Sequence, residues 1–218
     1  MAIRGKQGYI PKQRNSNRRK RKSVIVISAE GRNKTETLYL KNFNSENVRI
    51  HFATGGATDP VNMVKELIHE CEEQEIDGEL GDRAYCIIDS DLKADKDQKI
   101  KEADQEAKKY SKYNMEVIVS NPCFEVWFLC HFGYSTKQYQ SNDELLKDLE
   151  CKIPGYSKNR GDIYELLCSH QSTAIKNAKK LERFNMEDGR KMHTAEFQPS
   201  TEVYKIVESI PKIEKRGD

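Results

Sequence analysis

Ser23-Val24-Ile25-Val26-Ile27-Ser28, running into Ala29-Glu30-Gly31, and Arg83-Ala84-Tyr85-Cys86-Ile87-Ile88, running into Asp89-Ser90-Asp91, decide the fold of this 218-residue chain. Each is an unbroken apolar run that stops on an acidic residue. A run without polar alternation suits a strand covered on both faces, as in a parallel sheet flanked by crossover helices. Outward from these two, Val48 to Ala53 reads as a second strand and Met115 to Val119 as a short fourth one. Between them lie helical patterns. One starts near Asn33, which with Glu36 has capping-box spacing. Asp59-Pro60 opens another, with Val61, Val64, Leu67, Ile68 and Cys71 at helical intervals and Pro in the first turn. Residues 92–112, dense in Lys, Asp and Ala, read as a solvent-facing helix. Phe124 to Phe132 form the most apolar helix, with Trp127, Phe128 and His131 read as core.

The β-α-β-α-β-α-β alternation predicts an α/β fold with a mostly parallel sheet of about four strands. From about residue 141 the strand signal is gone, and helices are expected around 142–150, 161–169, 172–184 and 200–210. The organisation expected is therefore a basic disordered arm (1–22), an α/β domain (23–135) and a C-terminal helical cap (136–218).

Charge sharpens that division. Arg4, Lys6, Lys12, Arg14, Arg18, Arg19, Lys20, Arg21 and Lys22 are nine of the 37 Lys and Arg, and no acid accompanies them. The remainder holds 28 bases against 35 acids, so the net +2 hides a basic arm on an acidic body. The arm has no apolar segment of a secretory signal. With 33% charged residues and a mean hydropathy of −0.84, no stretch approaches a membrane span. Six cysteines without a CxxC pair read as reduced, mostly buried thiols, and a cytoplasmic protein is expected.

In open parallel sheets ligands bind at the carboxyl ends of the strands. The polar residues at those ends are Glu30, then Asp89 and Asp91, then Asn121, with Glu125 a turn into the next helix. Asp89 and Asp91 are two apart, so in an extended chain they point the same way. Carboxylates gathered there suit Mg²⁺ or Mn²⁺, with substrate phosphates completing the shell. Taken singly, each reads first as an ordinary helix cap or solvated turn, and it is Glu30, Asp89 and Asp91 together that point to a metal. In Ser120-Asn121-Pro122-Cys123-Phe124-Glu125, Pro122 keeps Asn121 out of helical geometry, so its side chain either faces the site or caps the next helix. No base is placed to activate Cys123. No P-loop motif is found, so nucleotide hydrolysis through a P-loop of this chain is not expected. Lys158, Arg160, Lys176, Lys179, Lys180 and Arg183 form either a solvated face or a phosphate-backbone track, together with Arg18 to Lys22 of the arm.

Val24–Glu36, Asp89-Ser90-Asp91 and Ser120–Trp127 together resemble the RloB family, small bacterial and archaeal proteins named for their occurrence near restriction–modification loci. Glu after the first strand and Asp-x-Asp after the third also resemble the TOPRIM domain of topoisomerases, primases and related nucleases. The resemblance implies that Glu30 acts in acid/base chemistry or joins the metal shell and that Asp89 and Asp91 bind Mg²⁺. It places Glu36, Asn121 and Glu125 at recurring positions of less defined role. No tyrosine is marked as a strand-transfer nucleophile, so hydrolysis fits better than religation. The resemblance further implies anti-phage defence beside an AAA/ABC-type ATPase partner. The expected function is a Mg²⁺-dependent nuclease on RNA or DNA. The alternatives are a non-catalytic TOPRIM-like module that binds nucleic acid or an ATPase, and a phosphohydrolase acting on small molecules. Assembly of the chain into a homo-oligomer is left open.

Overall fold

A computed structural model describes residues 21–30 and 34–214. Five strands, β1 (Ser23–Ala29), β2 (Val48–Phe52), β3 (Arg83–Asp89), β4 (Met115–Asn121) and β5 (Ser200–Thr201), form one sheet in the order β2-β1-β3-β4-β5. The first four pair in parallel, and β5 runs antiparallel to β4. The α/β reading holds, with five strands rather than four. The fifth escaped the sequence because a two-residue Ser-Thr strand carries no apolar run. It is held instead by its ladder and by Ser120 Oγ and Thr201 Oγ1, 2.9 Å apart. The helix expected from 200 begins only at Val203.

The helices are α1 (Lys34–Leu40), α2 (Pro60–Glu73), α3 (Ala94–Lys108), α4 (Glu125–Cys130), α5 (Asn142–Lys152), α6 (Ile163–Leu167), α7 (Gln171–Glu187) and α8 (Val203–Glu214). α2 forms as its sequence demands: Asp59 accepts from the Asn62 amide, Pro60 fills the first turn, and Met63, Val64, Leu67, Ile68 and Cys71 are buried. Asn33 lies outside the described residues.

Strand alternation sorts the core into two layers. Val24, Val26, Ala84, Cys86 and Ile88 pack under α2 and α3. Ile25, Ile27, Tyr85 and Ile87 pack against the layer of α1 and α4 to α8. Burying one such side chain contributes about 1.5–3 kcal/mol, so both covered faces are needed to hold the strands. The segment after residue 135 shares this packing. It supplies β5, and Leu145, Leu149, Leu181, Val203 and Ile206 belong to the same cluster as Ile25 and Tyr85. All six cysteines are free, with Cys71, Cys86, Cys123 and Cys130 buried and Cys151 and Cys168 exposed. Among the described residues, no helix is long and apolar enough to cross a membrane.

Candidate functional site

Parallel register brings the strand ends together. Ala29 pairs with Ile87 and Asp89 with Ser120, so Glu30, Asp89 and Asn121 leave three neighbouring strands within about two residues of one level. Side-chain parity then divides them. Asp89 continues the Tyr85–Ile87 face and meets the α1 and α4 layer, where Glu36 and Glu125 wait. Asp89, Glu36 and Glu125 are 7%, 2% and 1% exposed. Burial first, and then the charges of Glu36, Glu125, Asp91 and Glu30, hold the Asp89 carboxyl well above the ordinary carboxylate range. Its Oδ1 is buried and has no hydrogen-bond partner.

Glu30 faces the other way, toward α3. There Lys96 Nζ donates to Glu30 Oε2 (2.8 Å), to the Asp89 carbonyl (2.7 Å) and to Asp91 Oδ2 (3.2 Å). Burial works against the Lys96 charge, but Glu30 and Asp91 outweigh it and raise its pKa. Asp91 does not point with Asp89, as an extended chain would have it. β3 ends at Asp89, and Asp91 and Leu92 take left-handed backbone conformations (φ 54° and 60°). The Asp91 amide donates to the Pro122 carbonyl (2.9 Å), which holds the turn. The Asp91 carboxylate is thereby aimed at Lys96 and at Asn142 Nδ2, which donates to its Oδ1 at 2.9 Å.

The helical extension completes the inner group. Tyr156 donates its hydroxyl to Glu125 Oε1 (3.0 Å), and Lys158 Nζ lies 3.8 Å from the same oxygen. Burial, with Glu125 adding to it, pushes the Tyr156 phenol up, so it acts as a donor. Burial opposes the Lys158 charge, but Glu125, Cys123, Asp89 and Glu36 hold it above its ordinary value. Thr35 Oγ1 donates to the Lys158 carbonyl (3.1 Å) and fastens this loop to α1.

Asn121 neither caps α4 nor faces the acids. Its Nδ2 donates to the Thr194 and Ala195 carbonyls, 3.0 Å each, and so anchors the loop before β5. Burial pushes the Cys123 thiol up, consistent with an inert cysteine.

Of the cations, Lys158 stands at the site. Arg160 is engaged by Asp162 and the Pro154 carbonyl. On α7, Lys176, Lys180 and Arg183 are exposed, while Lys179 pairs with Glu208 at 2.6 Å. Arg18, Arg19 and Lys20 lie outside the described residues. Arg21 bonds both oxygens of Asp82 (2.9 and 2.7 Å), and Lys22 donates to the Ser45 carbonyl. Asp82 precedes β3, so Arg21 sits at the amino end of the sheet, about 20 Å of strand away from Asp89. Lys93, Lys96 and Lys158 pair with acids of the site.

Sequence reasoning missed Lys96, Asn142 and Tyr156. Lys96 lay in a helix read as solvent-facing, yet its first turn looks into the site. Asn142 carried only a helix-start signal, and Tyr156 carried none beyond the preceding Pro154-Gly155 turn.

Among the described residues, no three His, Cys, Asp or Glu side chains stand in a ready metal cage. The donor set still suits a hard divalent cation. It is all oxygen, and its central member, Asp89, presents a buried oxygen with no partner.

The fold and site define an α/β protein with a buried carboxylate cluster at the carboxyl end of a parallel sheet. The chain belongs to the family of RloB-like proteins, whose family model matches residues 25–210. Comparison with curated proteins and with solved structures returned no match.

Proposed function

We propose that this protein is a divalent-metal-dependent nuclease, hydrolysing phosphodiester bonds of RNA or DNA at the Asp89 cluster. The observation that carries this reading is the partnerless, nine-tenths buried Asp89 Oδ1 among Glu30, Glu36, Asp91 and Glu125. Isolated buried carboxylates are costly, and a cation offsets that cost. Bound Mg²⁺ or Mn²⁺ would neutralise a scissile phosphate and lower the pKa of a water. Asp89, with Glu36 and Glu125 beside it, would hold the ion, while Tyr156 fixes the Glu125 carboxylate. Glu30, partly exposed at the mouth, orients the attacking water and takes up its proton. Lys158 draws the phosphate backbone inward, and the exposed α7 lysines and the basic arm extend that attraction. The lack of a P-loop motif agrees with a separate AAA/ABC-type ATPase as controller. Family resemblance supports a role in anti-phage defence.

Purified protein incubated with tRNA, single-stranded DNA and duplex DNA, with Mg²⁺ or Mn²⁺, tests the proposal. Cleavage should need the metal and disappear in Asp89→Ala and Glu125→Ala. Cleavage that survives both substitutions refutes it. Salt-sensitive binding without cleavage assigns the inert, binding-only reading instead.

A further inference from the structure

Lys96 Nζ is inserted between the carboxylates of Glu30 and Asp91. We propose that it is a tethered counter-cation: it holds Glu30 and Asp91 together while no divalent ion is bound, and it withdraws from them when one enters. The inference rests on the metal reading above and adds a control on metal loading to it.

Three observations support the assignment. First, all three protons of the ammonium are used, on Glu30 Oε2, the Asp89 carbonyl and Asp91 Oδ2. That is how a small cation is coordinated by hard oxygens, and the Lys96 side chain is only 11% exposed. Its neighbour Lys93 differs, lying 3.9 Å from the same Asp91 oxygen with its side chain 63% exposed. Second, Asp89 has no equivalent on its carboxylate: its Oδ1 is buried and has no hydrogen-bond partner. Lys158 Nζ stands 3.8 Å from Glu125 Oε1, beyond hydrogen-bond distance. The ammonium with three hydrogen bonds is therefore on the outer pair, and Asp89 Oδ1 is left without a donor. Third, Lys96 has a route out. It lies in the first turn of α3, whose buried contacts begin at Ile100, so its side chain can leave without disturbing the packed part of the helix.

Withdrawal is driven by charge. An ion attracted to Asp89 brings two positive charges to a group whose outer members already hold one, and like charges in so small a volume repel. A nearby unit charge shifts a carboxylate's proton affinity by about one to three powers of ten. Removing Lys96 should therefore tighten divalent binding about ten-fold or more by the same electrostatics.

Two measurements decide it. Calorimetric titration of Mn²⁺ into the full chain is compared for wild type, Lys96→Met and Lys96→Gln. Both substitutions keep the aliphatic stem. The expected result is Mn²⁺ binding about ten-fold tighter in both variants, whether or not the wild-type affinity is weak. Equal affinity in wild type and variants overturns the proposal and leaves the metal site standing. No binding in any of the three overturns both readings. The second measurement uses unaltered protein and stands even if the variants fold poorly. Amine labelling of Lys96, read by mass spectrometry against Lys93, should accelerate several-fold when saturating Mn²⁺ is added. Mn²⁺ binding with an unchanged Lys96 rate shows that the lysine stays in place, and the proposal fails.

Discussion

His193 offers a test of how the loop beside the site is held. Its Nδ1 lies 2.6 Å from Asp104 Oδ2 and its Nε2 lies 2.8 Å from Glu202 Oε2. Both ring nitrogens face carboxylates, so both carry protons and the ring is an imidazolium. Burial opposes that charge, but hydrogen bonds and charge from Asp104 and Glu202 overcome it and lift the pKa from 6.5 to about 9. Lys205 is the other charged group in the network, paired with Glu202. Folding raises the His193 value, so its stabilisation is complete below about pH 6.5 and is lost as pH rises through about 9. The difference between those values corresponds to ~3 kcal/mol, at roughly 1.4 kcal/mol per pH unit. For a chain of this length that is a melting-temperature change of about 6–12 °C. Denaturant and thermal melts at pH 6 and pH 10 should show His193→Gln far below wild type at pH 6 and much closer to it at pH 10. A deficit of equal size at both pH values would show that the ring is not charged in the fold, and the clamp would have to be abandoned.

Three further outcomes follow from the contacts. Tyr156→Phe strips the hydroxyl from buried Glu125 and should cost about 1–3 kcal/mol, read by urea denaturation. Asp82 is fully buried, bonds Arg21 twice and accepts from the Val24 and Asp77 amides. Asp82→Asn should therefore lose about 1–3 kcal/mol of stability while any cleavage rate per folded molecule stays unchanged, because the pair sits at the far end of the sheet. Residues 1–20 carry seven Lys and Arg, so deleting them should flatten the log–log salt slope of nucleic-acid binding by up to about 6. A slope that does not move removes the arm from the interface.

Much of the fold was legible because its strands are unusually plain. Val24–Ile27 and Ala84–Ile88 announce burial on both faces, and each stops on the acid that the register later brings to the site. The Asp59-Pro60 start of α2 was equally direct. What the sequence hid is geometry set by partners distant in the chain. Asp91 turns left-handed through a bond to Pro122, and Leu92 beside it is a residue that rarely adopts that conformation. No local rule would have parted Asp91 from Asp89. Lys96 was one cation in a run of Lys and Asp, and only the α3 packing of Ile100, Ala103 and Ala107 shows which way its turn faces. Asn121 looked like a site residue or a cap, and it serves a third purpose by fastening the loop that contains His193.

The division of the acids by the sheet has a mechanical consequence. Glu30 and Asp91 are tied to α3 through Lys96, while Glu36 and Glu125 belong to the opposite layer with Tyr156 and Lys158. Asp89 is the residue that touches both, its carbonyl accepting from Lys96 and its carboxylate standing among the inner acids. A charge placed on the inner side is therefore felt on the outer side through one residue of β3, with no helix needing to move. Strand β3 is the right carrier for that coupling, since it is central in the sheet and hydrogen-bonded on both edges. Its two ladders fix the backbone of Asp89 between the two groups of acids. A fold with these acids on flexible loops could collapse them onto the two lysines. Fixed to the strand, Asp89 Oδ1 stays without a protein partner, and that is the property on which any cation chemistry here depends.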